Sequence, residues 1–578
     1  MKTIVPALVL LSLCISAWSA GIDQSPFGMN GLKLAHARND PNVWTNAERT
    51  AKVMKDAGMY WDRLELWWGV IEPEKGKFDW TFSDKVAQFY RKQEINALVI
   101  LCYSSAWSKD TPPATPEERA LYADYVYQMV NRYKDTFKVW EIWNEPNIPT
   151  FWPEPNVRDY TLMLQEAYKA AKKADPDCMV FAGSTSGPDL EFIDGIYKNG
   201  GWDSCDGISI HPYSMAGGPI PQRLDKILRQ NQEYIASKGK PKPLWITEMG
   251  WTSSNAREDR DQAVYVIQSY VMALANGVGN LQWFCLDDWA EKWGLVRSFE
   301  PFDPKPSYKA YQLLAETLGS PGKCAEFEGY LKMPEGVACY VFKKSENQRI
   351  LILWTDDARI TRTVKFPKVT GSWHVTDILG EKMCVPSPDI TVGAVPIIIT
   401  GVRPGDIGQV NKTFNPYLEK SGMNIALNGS MEWLNEHGGA DWWNAGRFEG
   451  SAKDGTFATT DAGRSGSKCV SISKSGERAA YDQGPIPVDA GKEYRMTAWI
   501  KTENATGSNQ IGLFWYSGNQ WTYKGEVRSE NITGTHDWTK VEVTAKVPEG
   551  ASLVRPNLIS ENNTGTAWFD DIVLEEVE

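Results

Sequence analysis

Histidine is scarce and scattered in this chain. The five residues His36, His211, His374, His437 and His536 show no close spacing, which argues against the clustered imidazoles of a catalytic zinc. No Gly-x-Ser-x-Gly turn occurs to present a serine nucleophile. No glycine-rich phosphate loop follows the first strand-like run, so an open dinucleotide-binding sheet lacks its signature. Basic charge is also in deficit: 61 Lys and Arg against 73 Asp and Glu leave a net −12, which disfavours nucleic acid and anionic membrane surfaces as partners. No segment reaches the roughly 18 apolar residues of a transmembrane helix.

Tryptophan, by contrast, is abundant at 26 residues. Most are expected in cores, and some as flat platforms for sugar rings. At 578 residues the chain exceeds what one core serves, so several domains are expected. Residues 1–20 combine a lysine, an apolar stretch from Ile4 to Ile15 and small residues from Ala17 to Ala20, the pattern of a secretory leader. Export permits disulfides. Cys178 with Cys205, and Cys324 with Cys339 or Cys384, are plausible partners, while Cys102 and Cys285 sit in apolar runs and read as buried thiols.

From 21 to 320, short apolar runs alternate with amphipathic stretches. The runs end near Asn30, Trp68, Tyr103, Glu145, Ser184, Tyr213, Glu248 and Asp287, with helical patterns at Thr45–Ala57, Pro116–Tyr133 and Arg257–Ala275 between them. Eight successive βα units predict an α/β fold, a closed TIM (β/α)8 barrel, whose functional groups gather at the C-terminal ends of the strands. From 321 to 402 the helical period gives way to strand-like runs, a small β-sandwich. Residues 403–423 read as a linker and 424–578 as a second β-sandwich of jelly-roll type.

Two runs carry the chemistry: Trp140-Glu141-Ile142-Trp143-Asn144-Glu145-Pro146-Asn147 and Pro243-Leu244-Trp245-Ile246-Thr247-Glu248-Met249-Gly250. Each is an apolar strand ending in a glutamate, and paired carboxyls in one cleft are what glycosidic cleavage requires. A glutamate at a strand end is more often a cap or an ion-pair partner. The asparagine before the first and the aromatic and small neighbours of both tip the balance toward catalysis. Like charges in a partly dry cleft should raise one pKa and leave the other group ionised.

These segments resemble the strand-four and strand-seven signatures of clan A glycoside hydrolases, over about residues 25 to 320. The resemblance implies Glu145 as general acid/base, Glu248 as nucleophile, Asn144 as a ligand of the sugar 2-hydroxyl, and retention of configuration with carboxyls about 5 Å apart. Arg63, within Trp61-Asp62-Arg63-Leu64-Glu65-Leu66-Trp67-Trp68, matches an arginine that holds the nucleophile, and Glu72 beyond it is taken as structural. His211 and Tyr213, in His211-Pro212-Tyr213, match a pocket histidine and a tyrosine touching the nucleophile. Trp283 matches the floor of the sugar subsite, and Trp68 joins the substrate-binding set. Asp287 and Asp288 either touch sugar hydroxyls or cap a helix. The strand-two block and the HPY segment look most like families 39, 5 and 42, and xylan, β-glucan and galactan all stand as substrates.

The segments Asn424–Glu432 and Thr566–Leu574 are similar to the ends of carbohydrate-binding modules of family 4/9 type. That resemblance nominates Glu432 and Asp571 for a structural calcium, and Trp515, Tyr516, Trp521 and Tyr523 as sugar platforms, with Trp443 as an outsider. Strand alternation puts Trp515 and Tyr516 on opposite faces, so one of them belongs to the core. The function expected is a secreted retaining β-glycosidase acting on β-linked oligo- or polysaccharide without a catalytic cofactor. The alternative is an inactive glycan-binding or matrix protein on the same scaffold.

Overall fold

The computed structural model describes residues 25–577 apart from 109–110, 214–217, 289–291, 320–323, 356–360, 367–372, 384–388, 413–415, 417–423, 433, 435–437, 441, 446–454, 478 and 520–521. The expected leader at 1–20, and with it Cys14, lies outside these residues. So do Cys384, Trp521 and most of 413–423.

Eight parallel strands close into a barrel in sequence order: β1 (Phe27–Met29), β2 (Trp61–Trp67), β3 (Asn96–Cys102), β4 (Val139–Ile142), β5 (Met179–Ser186), β6 (Gly207–His211), β7 (Leu244–Met249) and β8 (Asn280–Trp283). The fold class read from the sequence is therefore borne out. Strands buried on both faces read as continuous apolar runs, and β3 is buried over all but its first residue. Near the strand starts Trp61, Leu98, Val139, Met179, Phe181 and Trp245 form one cluster. It fills the barrel below the level of the glutamates.

Local chemistry sets the helix boundaries. Pro116–Tyr133 begins on a capping box in which Thr115 accepts from Glu118 N and Glu118 accepts from Thr115 N, satisfying two otherwise orphaned donors. Asn156 and Asn255 cap Val157–Ala174 and Ala256–Ala275 in the same spirit.

The chain divides into two compact units, one comprising residues up to Tyr213 and Leu224–Leu418, the other Ser214–Arg223 and Glu419–Glu578. The first holds the barrel and a smaller β-layer domain. There a six-stranded antiparallel sheet runs His374–Thr376, Ile397–Val402, Gln348–Thr355, Val337–Ser345, Glu326–Leu331 and Val410–Asn411, accompanied by the pair Arg362–Lys365 and Asp389–Val392. Leu351, Leu353 and Ile399 of the sheet pack on Val364 and Ile390 of the pair.

The linker expected at 403–423 needs correction in its first half. Val410–Asn411 pairs with Tyr330 and Leu331 as the sheet's edge strand, and Arg403 N donates to Asp406 to close the turn before it. Proline and glycine there mark a turn and an edge strand, both of which tolerate them.

In the second unit two antiparallel sheets face each other. One runs Trp443–Ala445, Ala480–Gln483, Leu553–Glu561, Ser508–Tyr516, Tyr523–Arg528; the other runs Thr456–Thr460, Cys469–Ser473, Thr566–Val577, Glu493–Ala505, Gly534–Lys546. Their inner faces meet in an apolar core that includes Leu513, Trp515, Met496 and Phe569.

The disulfides expected from export do not form among the described residues. Cys178, Cys205 and Cys339 are free thiols. Cys205 sits instead on the Trp202 carbonyl, and Cys339 is a core residue of the smaller domain. Cys102 and Cys285 are buried free thiols, as read.

Candidate active site

Glu145 and Glu248 meet at the C-terminal mouth of the barrel. One oxygen of each carboxyl and a ring nitrogen of His211 all lie within 4.8 Å of one another. They stand in or beside a cavity of about 340 Å³ lined by both glutamates, Arg63, Asn144, Glu65 and Tyr103, among others.

The strand-four turn that presents the acid is strained. Trp143 and Glu145 take left-handed backbone angles, φ 68° and 41°, each costing about 1–3 kcal/mol for a residue with a side chain. The cost is offset by fixed contacts: Glu145 N donates to Ser184 O, Trp143 Nε1 to Phe151 O, and buried Asn147 bridges to Asp189 and Ser186. β5 answers with a bulge between Gly183 and Thr185. Gly183 is required there, because its φ is 104° and a Cβ would stand 2.6 Å from Ser209 O. The extra residue of the bulge, Ser184, reaches Arg63 Nη2 at 3.3 Å and His211 Nε2 at 3.3 Å.

Arg63 organises the nucleophile side. Its guanidinium donates through Nε and Nη2 to Glu141 at 3.0 and 2.8 Å, through Nη2 to Asn144 Oδ1 at 2.9 Å, and through Nη1 to Glu248. Arg63 and Glu141 are almost fully buried, so removing either leaves an uncompensated charge at a cost of about 3–5 kcal/mol. Tyr213 donates to the other oxygen of Glu248 at 3.1 Å. Because Arg63 takes Asn144 Oδ1, the amide nitrogen of Asn144 is left as a donor.

The two carboxyls differ in their surroundings. Burial, then the charge of Glu248, push Glu145 up to about 8. Burial raises Glu248 as well, but the Arg63 charge and the Tyr213 hydrogen bond oppose it. The last proton of the pair therefore rests on Glu145, which has no cation in contact with it among the described residues. His211 is fully buried, with Nδ1 3.0 Å from Glu145 Oε1 and Nε2 3.0 Å from Thr247 Oγ1. Burial and the Arg63 charge hold its pKa well below the ordinary value, so the imidazole is neutral.

The structure brings Glu145, Glu248, Asn144, Arg63, His211 and Tyr213 together. It does not bring Trp68 or Trp283 to the cavity. Trp68 is wholly buried, stacks on Tyr125 at 5.6 Å and donates to Glu72 at 2.7 Å; Trp67 lines the cavity in its place. Trp283 is equally buried and packs on Trp251, and Phe284 lines the cavity beside it. Glu72 is structural, accepting from Trp68 and from Gly76 N. Asp288 is claimed by Lys305 at 2.7 Å and Gly294 N at 3.0 Å, and Asp287 by Lys33 at 2.8 Å.

Sequence reasoning missed Glu141, Ser184, Thr247, Glu65 and Phe284. Glu141 had a visible signal, a charge inside an otherwise apolar strand that demands a buried partner.

In the second unit Trp515 is 1% exposed and belongs to the core, so it is no platform. Trp443 is likewise core and donates to the Leu427 and Asn428 carbonyls. Tyr523 is 51% exposed, and its ring lies 5.8 Å from that of Tyr516. The calcium expected at Glu432 and Asp571 does not fit. Glu432 accepts from Ser467 N, Ser467 Oγ and Lys468 N, and Asp571 accepts from Arg464 Nη1 at 2.6 Å and from Ser465 Oγ. A guanidinium and hydroxyl and backbone donors already supply what a cation would.

The Glycosyl hydrolase family 10 profile matches residues 25–182. A family 39 glycoside hydrolase from the gut symbiont Bacteroides cellulosilyticus WH2 superposes with a TM-score of 0.53 at 25% identity, covering 61% of this chain and 78% of that one. The chain is thus similar to glycoside hydrolases over part of its length. A β-xylosidase of Caldicellulosiruptor saccharolyticus is 26% identical to this chain over 241 residues, 36% of this chain and 48% of that protein. A β-xylosidase of Geobacillus stearothermophilus is 31% identical over 87 residues, 14% of this chain and 17% of that protein. The chain thus spans about half the length of the first of these relatives and less of the second.

Proposed function

We propose that this chain is an exported retaining β-glycoside hydrolase that cleaves β-linked oligo- or polysaccharide by double displacement. The observation that carries the reading is the inequality of two carboxyls that approach within 4.8 Å: Glu248 gripped by Arg63 and Tyr213, Glu145 buried without a cation. The short separation favours retention over inversion, which needs room for a water between the groups.

In the first step Glu248 attacks the anomeric carbon and the bond to the leaving oxygen breaks as that oxygen takes the proton of Glu145. A glycosyl ester on Glu248 results. In the second step water attacks the same carbon, its proton passes to Glu145, and the ester bond returns its electrons to Glu248. Tyr213 and Arg63 hold Glu248 in line, and the Asn144 amide is placed to donate to the 2-hydroxyl. No step calls for a metal or an organic cofactor.

The names of the relatives put an aryl β-xyloside first on the substrate panel, followed by β-glucoside and β-galactoside. Glu248→Ala should abolish turnover, and NMR of the first product should show the anomer of the substrate. Turnover unchanged in Glu248→Ala removes the hydrolase reading, and an inverted product removes retention. The second unit is proposed to hold glycan near the barrel, with Tyr523 and Tyr516 as its contact surface.

A further inference from the structure

A third carboxylate lines the cavity and takes no part in the steps above. Glu65 stands two residues beyond Arg63 on β2, and alternation sends both side chains to the same face. Its Oε2 accepts from Trp67 Nε1 at 2.5 Å and from His36 Nε2 at 3.3 Å. Among the described residues nothing donates to its Oε1. The side chain is 24% exposed, and that exposure opens on the cavity shared by Glu145 and Glu248.

Burial alone would raise this carboxyl, but the hydrogen bonds from His36 and Trp67 outweigh it and hold the group below its ordinary value. A fixed ionised carboxylate is an acceptor only. It rewards hydroxyl donors and repels anions. The residue that grips Glu248 lies two positions earlier on the same strand, and Glu65 lines the same cavity as the nucleophile, close enough for its charge to act on Glu248.

We propose that Glu65 is the specificity-determining residue of this subsite: its free oxygen accepts from a ring hydroxyl of an uncharged pyranoside, and it excludes uronic acids and sugars alkylated or acylated at that hydroxyl. The proposal rests on the glycosidase reading and names the substrate class for that site. Recognition of a terminal sugar's own hydroxyls in this way makes the enzyme selective for unsubstituted residues. The rejection is steep, because losing the donor leaves a desolvated carboxylate without its partner.

The test compares Glu65→Gln and Glu65→Ala with wild type on aryl β-xyloside, its 3-deoxy and 4-deoxy analogues, and aryl β-glucuronide, with kcat and KM measured separately. Wild type should favour the parent xyloside by about a hundredfold or more over one deoxy analogue. Both variants should lose that preference, and they should act on that deoxy analogue within about threefold of wild type. A merely structural Glu65 would lower all substrates alike, and that result overturns the proposal, as does an unchanged preference.

Calorimetric binding of xylose, 4-deoxyxylose, 3-deoxyxylose and glucuronic acid to the full chain supplies a readout that needs no turnover. Xylose binding that survives Glu65→Ala in a folded variant overturns the proposal even where no glycoside is cleaved. An inert wild type that binds xylose through Glu65 overturns the hydrolase reading alone.

Discussion

Nδ1 of His211 lies 3.0 Å from Oε1 of Glu145, while Nε2 of the same ring lies 3.0 Å from Oγ1 of Thr247. With Nδ1 protonated, the neutral ring donates to Oε1 of Glu145 and accepts at Nε2 from the Thr247 hydroxyl, which leaves the proton of the acid on Oε2, the oxygen free to meet the leaving group. The ring thus fixes where the proton of Glu145 is delivered. His211→Ala should cost about a hundredfold in kcat/KM on aryl glycosides with poor leaving groups, the scale of a small misplacement. With a dinitrophenyl leaving group, whose departure needs little protonation, the loss should be slight. An equal loss across leaving groups would show that His211 serves Glu248 or the fold and not the acid.

The unequal carboxyls set a pH dependence with a definite sign. Hydrolysis needs Glu248 ionised and Glu145 protonated, so kcat/KM should rise from acid pH and fall as pH climbs through about 8. Stability follows the same group. The folded pKa of Glu145 lies above the unfolded carboxyl value, so its favourable share is complete below the unfolded value and is lost as pH rises through about 8. Glu145→Gln should remove the alkaline limb with most of the activity and should raise the melting temperature at pH 8 more than at pH 5. Calorimetry across that range checks it; a variant that is no more stabilised at pH 8 than at pH 5 contradicts the assignment.

Most of the barrel was legible because a strand buried on both faces is written as an uninterrupted apolar run, and because the glutamates end two such runs. Arg63 and Tyr213 were found through the resemblance of their segments to clan A signatures. The errors fall where one period gives way to another. Trp67 closes β2 and Trp68 opens the short helix Trp68–Ile71, so alternation stops between them and the wrong neighbour was turned to the sugar. At the end of β8 the same one-residue slip exchanged Trp283 for Phe284. Ser184 enters the site only through a β-bulge, which shifts register by one and leaves no composition signal beyond Gly183. Glu141 was legible in principle, as a lone charge within an apolar strand. The pairings of Cys178 with Cys205 and of Cys324 with Cys339 failed for a different reason: export permits them, but pairing depends on geometry that spacing does not contain.

Arg464 takes the place at Asp571 that a cation would fill. Its guanidinium binds Asp571 at 2.6 Å and lies 3.6 Å from the Trp499 ring centre, while Arg464 N and Ser465 N donate to Asp570. A chelator should leave the unfolding transition of this unit where it is. Arg464→Ala should lower it by about 1–2 kcal/mol, the sum of a partly exposed ion pair and a cation–π contact. A reversible drop on chelation that calcium restores would refute the fit described above.

Tyr523 and Trp515 offer a paired test of which aromatics of the second unit meet glycan. Tyr523 is half exposed, donates to Glu526 at 2.9 Å and sets its ring at 67° to that of Tyr516, over which the Arg555 guanidinium lies at 5.2 Å. Its removal costs little folding energy. Tyr523→Ala should weaken retention on insoluble xylan or cellulose up to about tenfold, the worth of one aromatic contact, and should leave turnover of a soluble aryl glycoside unchanged. Trp515, inside the core, should behave oppositely: Trp515→Ala should destabilise this unit by about 3–5 kcal/mol and impair retention only through unfolding. Retention equal to wild type in Tyr523→Ala, together with equal retention after removal of residues 424–578, would leave the second unit without a glycan-holding role.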